Sequence, residues 1–333
     1  MQNPIPAGRR AALESGRAIP FWQMPECWLA ITALLVRMLI LSRFAASPHF
    51  WPASDDMKFY MDWATRISQG HWTDGQAFYG LPGYAFCLAG LFTIGGVNPL
   101  IVGLVQVGLE AVTSVFIFRI AKLAVSESQK SERAFSENIV GILASLGWIF
   151  YLPAQTFSTI LMPSAWLVVA FWGCVWWLVK GRAPCSYWTW LAFGVFLGVV
   201  ATMVATILFL IPLFLIAIVL RVDASERFPK RLPHIAFAIA LLFTGVFAGT
   251  SPAWLHNYFV AKDPVLLSAH GGLNFWMGNN PDATGYPKIP SGLSAGQEGL
   301  LRDSITRAEE AAGRALKRSE VSKFWSGLVL SIF

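Results

Sequence analysis

Two adjacent carboxylates, Asp55 and Asp56, open the stretch SDDMKFYMDWATRISQG, just after the first long apolar run of a chain that otherwise avoids charge. A carboxylate at the mouth of a membrane segment stays ionised, able to take a proton or a cation; deeper in the bilayer it would be desolvated and protonated. Met57, Tyr60, Met61, Ala64 and Ile67 recur at helical spacing, so the spacing predicts an amphipathic helix lying on the membrane, with Ser54 as its N-cap. Both acids then fall in the first turn. There they would favour the helix dipole by about 0.3–1 kcal/mol with no chemistry at all, and the spacing alone does not choose between that reading and a functional one.

Composition sets the frame for that pair. The 333 residues are 55% hydrophobic and 13% charged, and mean hydropathy is +0.54. An ordinary soluble domain carries about 25% charged residues, so these values indicate a polytopic membrane protein. The net charge of +6 resides in short Lys/Arg clusters between apolar runs, without interleaved stacking aromatics, so no nucleic-acid partner is expected. Cys27, Cys87, Cys174 and Cys185 are scattered, with no metal-ligand spacing, and read as packing residues.

Runs long enough, or nearly so, to cross a bilayer lie at about 27–46, 99–121, 138–152, 155–179, 187–200, 203–221 and 233–252, with 81–97 as a doubtful eighth. Arg9, Arg10 and Arg17 place the N-terminal tail, 1–26, in the cytoplasm and the acidic loop, 47–80, outside. Cytoplasmic loops then follow at Lys122, Lys130 and Arg133, at Lys180 and Arg182, and at Arg221, Arg227, Lys230 and Arg231. Parity leaves room for one span between residues 80 and 122, which makes LPGYAFCLAGLFTIGG an interfacial or re-entrant segment. Hairpin tips are expected at IFYLPAQTFS and near Ala201-Thr202-Met203, on the same external face as a long polar segment, 253–322. That segment combines a Gly/Asn/Pro-rich part, expected to be turns, with a charged Ala/Leu-rich part of helical spacing. Residues 323–333 read as the start of a further span, so the chain looks truncated. The expected fold is an all-α polytopic bundle of about seven transmembrane helices plus the start of an eighth, with an inner-membrane, multi-pass location.

The order of these features resembles the GT-C class of integral-membrane glycosyltransferases, and within it the bacterial relatives of the dolichyl-phosphate-mannose protein mannosyltransferase family, family 39. The resemblance rests on the acidic pair opening its helix, on YGLPGYAFCLAGLFTIGG, and on NYFVAKDPVLLSAHGGLNFWMGNNPDATGY. It implies transfer of a sugar from a polyprenyl-phosphate donor to a protein, lipid or glycan acceptor on the external face, with inversion. Asp55 matches the general base that takes the proton of the acceptor hydroxyl, and Asp56 would orient the acceptor, bind a metal or cap the helix. Tyr79, Gly80, Pro82 and Tyr84 match the loop bordering the donor site, and Lys58, His256, Asn257, Asn279 and Asn280 are further donor or acceptor candidates. A divalent metal could sit on Asp55, Asp56 and His256; no nucleotide cofactor is expected.

The chain also departs from the pattern. STILMPSAW lacks the family's hairpin acid, ATMVATILFLIP lacks its Arg before Pro, and His256-Asn257 stands for an Arg-Asn pair. Charge stabilisation of the leaving phosphate would then fall to His256, Lys262, Lys58, Arg66 or a metal. Two other readings follow: a transporter or flippase of lipid-linked sugars, and an inactive scaffold. Several residues also have purely structural readings. Glu110 and Gln106 could bond a neighbouring helix, Arg37 could bond backbone, and His270, Asn279 and Asn280 could stabilise turns.

Overall fold

A computed structural model describes residues 20–128, 134–181, 185–222, 228–286 and 288–331. Of the charges that set the expected topology, Arg9, Arg10, Arg17, Lys130, Arg133, Arg182 and Arg227 lie outside the described residues, as do most of the tail 1–26 and the last two residues. About 74% of the described residues are helical, and they include no strand.

In chain order the helices are α1 (Pro25–Ala45), α2 (Asp55–Ser68), α3 (Pro82–Gly95), α4 (Pro99–Ser128), α5 (Ala134–Ile149), α6 (Leu152–Phe157) and α7 (Ser164–Val179). They continue as α8 (Tyr187–Ala201), a 3-10 stretch Ala205–Leu210, α9 (Ile211–Arg221), α10 (Phe228–Gly249), α11 (Ser251–Leu255), a π-helical turn His256–Val260, α12 (Gly271–Asn279), α13 (Gln297–Ala312) and α14 (Arg318–Leu330). Among the described residues, three helical stretches are long and apolar enough to cross a bilayer: Pro25–Ala45, Pro99–Val125 and Lys230–Gly249. Their outer faces are apolar. On α1, Leu35 and Leu39 are 67% and 61% exposed, where a helix in water would carry polar side chains.

The other apolar runs form shorter helices than the runs themselves. Residues 138–152 end inside α5 and a two-residue break, 155–179 splits between α6 and α7, and 203–221 becomes a 3-10 segment followed by α9. At 1.5 Å per residue, a 16-residue helix such as α7 covers about 24 Å, short of a ~30 Å hydrocarbon core. The turn at Thr202-Met203-Val204 coincides with the expected hairpin tip, whereas IFYLPAQTFS contains α6.

The chain divides into two compact units, one of residues 1–47, 103–160 and 164–183, the other of 48–102, 161–163 and 184–333. In the first, a buried polar cluster joins α1, α4 and α5. Arg37 donates through Nη1 to the Ile149 carbonyl (2.8 Å) and through Nη2 to that of Trp148 (3.2 Å), and Nη2 lies 3.6 Å from Glu110 Oε2. Glu110 also accepts from Trp148 Nε1 (2.9 Å), and Gln106 Nε2 donates to the Ser158 and Ile160 carbonyls. These three residues tie helices together, and the carbonyls at the end of α5 find donors they would otherwise lack.

In the second unit, α8 and α10 cross at mutual backbone contact. Gly194 and Gly198 on α8 face Gly245 and Gly249 on α10, and a Cβ at any of the four would collide with a carbonyl oxygen of the facing helix. Two GxxxG motifs, GVFLG and GVFAG, thus interlock, the packing small residues permit where no hydrophobic drive separates helix from lipid. Near the end of this unit, α12 forms in the stretch expected to be turns. Gly272 is there for close approach: a Cβ on it would overlap the Ser322 carbonyl oxygen of α14. The charged stretch expected as one helix is two, because Gly313 takes a left-handed conformation (φ 65°) and closes α13. Val321, Trp325 and Val329 form the buried stripe of α14, and Trp325 Nε1 donates to the Ser304 carbonyl (3.1 Å), so residues 323–330 are part of this packed helix.

Candidate active site

The acidic pair opens α2 as expected, but the two carboxylates are not equivalent. Asp55 is exposed and has φ +58°, one of two non-glycine residues with positive φ among the described residues; Lys262 is the other. A left-handed conformation costs an L-residue roughly 1–2 kcal/mol, although Asp bears it better than most. Ser54 does not cap the helix with its side chain, contrary to the expectation. Its hydroxyl instead donates to Asp55 Oδ2 (2.8 Å), and its carbonyl accepts from the Lys58 N–H. Asp56 accepts at Oδ1 from Gln297 Nε2 (2.7 Å), in the first turn of α13. A Cβ added to Gly296 would lie 3.8 Å from Asp55 Oδ1, so both acids stand against the N-terminus of α13.

Lys58 is turned to another partner. It pairs with Asp62 one turn along α2, and that hydrogen bond, followed by the charge of Asp62, raises its pKa. Burial pushes the phenols of Tyr60 and Tyr79 up to about 12, with the Asp56 charge adding at both and Arg318 partly offsetting at Tyr79. Both stay protonated at neutral pH and neither serves as a base. Tyr84 is fully buried with its ring edge-on to Tyr60 at 5.1 Å, so it supports α2 from within the core.

His256 and Asn257 sit in the π-helical turn and hold the loop that follows α2. Asn257 is buried. Its Oδ1 accepts from the Phe78 N–H (2.9 Å), and its Nδ2 donates to the Val265 and Leu267 carbonyls (3.0 and 3.4 Å). Because Oδ1 accepts, the His256 Nδ1–H 3.2 Å away is a donor, which leaves Nε2 to accept from the Thr73 hydroxyl (2.6 Å). The imidazole stacks on Phe78 at 4.1 Å. His270 repeats the device, with Nδ1–H and backbone N–H both donating to the Tyr79 carbonyl (2.8 and 3.2 Å). Asn279 and Asn280 close α12 through their own preceding carbonyls, and Asn280 Oδ1 accepts from the Asp282 N–H. Asn257 and Asn280 thus spend both ends of their amides on the chain, Asn279 is exposed and bonded there through Nδ2 alone, and Tyr84 has no surface to offer a ligand.

Beside α2 lies a cavity of about 400 Å³ that no local pattern in the sequence announces. Phe59, Trp63, Phe78 and Tyr79 supply aromatic walls; Arg66, Asp74, Glu298, Arg302 and Arg318 supply charge. Arg318 is fixed by Asp74 Oδ2 (2.9 Å) and the Ala77 carbonyl, and buried Asp263 anchors the start of α14 by accepting from the Ser319 N–H (3.0 Å). Asp55 and Asp56 do not line this cavity, but Phe59 is one turn beyond Asp55 and Glu298 directly follows Gln297. The cavity is a half-open cleft, and it adjoins the exposed Asp55 and half-buried Asp56 along α2. Among the described residues no three His, Cys, Asp or Glu side chains converge as metal ligands, so Asp55, Asp56 and His256 are not brought together as a three-ligand set. Compared with protein-family models, with curated proteins and with solved structures, the chain matches none of them.

Proposed function

We propose that the chain is a membrane glycosyltransferase, moving a sugar from a polyprenyl-phosphate donor to an acceptor hydroxyl with Asp55 as general base. The observation that carries this reading is the strained backbone at Asp55. An exposed carboxylate held at φ +58° at a helix start has no packing reason to be there, since glycine or asparagine would take that conformation at less cost. Retained strain at a titratable side chain is characteristic of functional sites. Asp55 would take the acceptor proton as the oxygen attacks the anomeric carbon and the lipid phosphate departs. Asp56, fixed by Gln297, would hold α13 against the site rather than share the proton transfer. The acids belong at the interface because a lipid donor can present its phosphate and sugar only there.

A multi-pass arrangement with a cytoplasmic N-terminus and an external acidic loop fits this reading, the shorter apolar helices serving as additional spans. Asp55→Asn keeps the shape and tolerates the left-handed backbone but cannot accept a proton. Transfer from a labelled lipid-linked sugar should fall by about 10²-fold or more, within the range of one general base, while Asp56→Asn retains most activity. Equal activity of both Asn variants and wild type would leave the acid pair as a helix start only.

A further inference from the structure

The cavity beside α2 has a charge balance that selects its ligand. Arg318 is neutralised by Asp74 and Arg302 by Asp303 (2.9 Å each), while Arg66 and Glu298 contribute one charge of each sign. A site for phosphate or carboxylate would keep several unpaired cations; here the three lining arginines meet three carboxylates, Asp74 and Glu298 in the wall and Asp303 outside it. It offers instead aromatic walls, carboxylate acceptors and guanidinium donors in one half-open cleft. That is the combination a sugar ring needs, because its C–H face packs on aromatic rings and its hydroxyls both donate and accept. The volume, about 400 Å³, falls in the range of roughly 300–1,000 Å³ of small-molecule sites.

We infer that this cavity binds a neutral saccharide, and that on the transferase reading it seats the terminal or branching, hydroxyl-donating sugar of a glycan acceptor between α2 and α13. The inference rests on the transferase reading for its purpose, but not for the binding itself. Phe59 lies four residues beyond Asp55, about 6 Å along the helix axis, so a ring seated against it can extend a hydroxyl to the base. Gly296, against Asp55, and Glu298, in the cavity wall, are two residues apart, which brings the cavity's end to the acid pair. Arg66 on α2 and Glu298 on α13 are exposed at this wall, where they can reach sugar hydroxyls without supporting the core.

The test is binding by the full chain in lipid nanodiscs, without donor, read by saturation-transfer NMR. Chitobiose, mannobiose and lactose are the probes, and glucuronate and inorganic phosphate the anionic competitors. At least one disaccharide should bind saturably and resist displacement by either anion. Arg66→Ala and Glu298→Gln should each weaken it about tenfold, the size of one lost charge-assisted hydrogen bond. The assignment is overturned if no disaccharide binds saturably, if phosphate or glucuronate displaces it, or if affinity survives both cavity variants. Disaccharide binding combined with normal transfer by Asp55→Asn would remove the base and leave the cavity assignment standing.

Discussion

Asp55 and Asp56 are neighbours in sequence and opposites in setting. One is solvated, strained and bonded to Ser54 beside it; the other is braced by Gln297. If Asp55 is the proposed base, its strain predicts a trade of activity for stability. Asp55→Gly should raise the unfolding midpoint, by the equivalent of about 1 kcal/mol, while abolishing transfer. Thermal unfolding in detergent alongside the transfer assay reads both, and a Gly variant no more stable than wild type would remove the strain argument. At this scale the sequence was partly legible. The acid pair, its helix and Arg66 could be singled out from pattern, but positive φ at an aspartate leaves no trace in residue type. Asn257 illustrates the opposite failure: an exposed-looking polar residue in a polar segment is buried, and its bonds to Phe78, Val265 and Leu267 span separations that local pattern does not encode.

Among the elements, the tightest junction is the one between α8 and α10. The atoms a new Cβ would meet are backbone carbonyl oxygens, which cannot swing aside as a side chain can. Gly198→Val should therefore destabilise by about 1–3 kcal/mol or more, lowering the unfolding temperature. Gly147 on α5, with nothing within 4 Å of an added Cβ, is the control, and its Ala variant should be neutral or slightly stabilising. Comparable losses at both positions would mean that the interlock contributes nothing. The helices themselves were legible because apolar runs and charged clusters alternate along the chain. Their true lengths were not, since a break ending at Pro163 splits the run 155–179 and a 3-10 stretch, Ala205–Leu210, takes up the first part of 203–221. Nor was the role of glycine: GVFLG, GVFAG and Gly272 mark close helix approach, and reading glycine as a turn former hid the existence of α12.

For the whole molecule, the proposed topology makes definite demands. With Cys27, Cys87, Cys174 and Cys185 removed, single cysteines in place of Gln76, Gln155 and Asp282 should react with an impermeant thiol reagent from outside. Ser128→Cys should not, and its external labelling would invert the scheme. All-helical class and membrane character were readable from composition, because 13% charge cannot solvate a globular surface. The cavity was not, because its walls come from α2, the loop after it, α13 and Arg318, stretches some 230 residues apart that read separately as ordinary amphipathic or charged surface.

On the proposed multi-pass topology, the buried pairing of Arg37 with Glu110 also sets an order of events during synthesis. When α1 leaves the ribosome its guanidinium has no counter-charge, and an arginine at the centre of a lone span costs about 2.5–3.5 kcal/mol at the translocon. That charge is answered only after α4 has been made and α5 has supplied its terminal carbonyls. The first helix should thus wait beside the insertion machinery for a partner synthesised more than seventy residues later. Arrested nascent chains ending before residue 110 should integrate α1 less completely than chains extending past residue 149, by glycosylation mapping of its flanks. Arg37→Leu should erase that difference, and equal integration at both lengths would show that the span settles unaided.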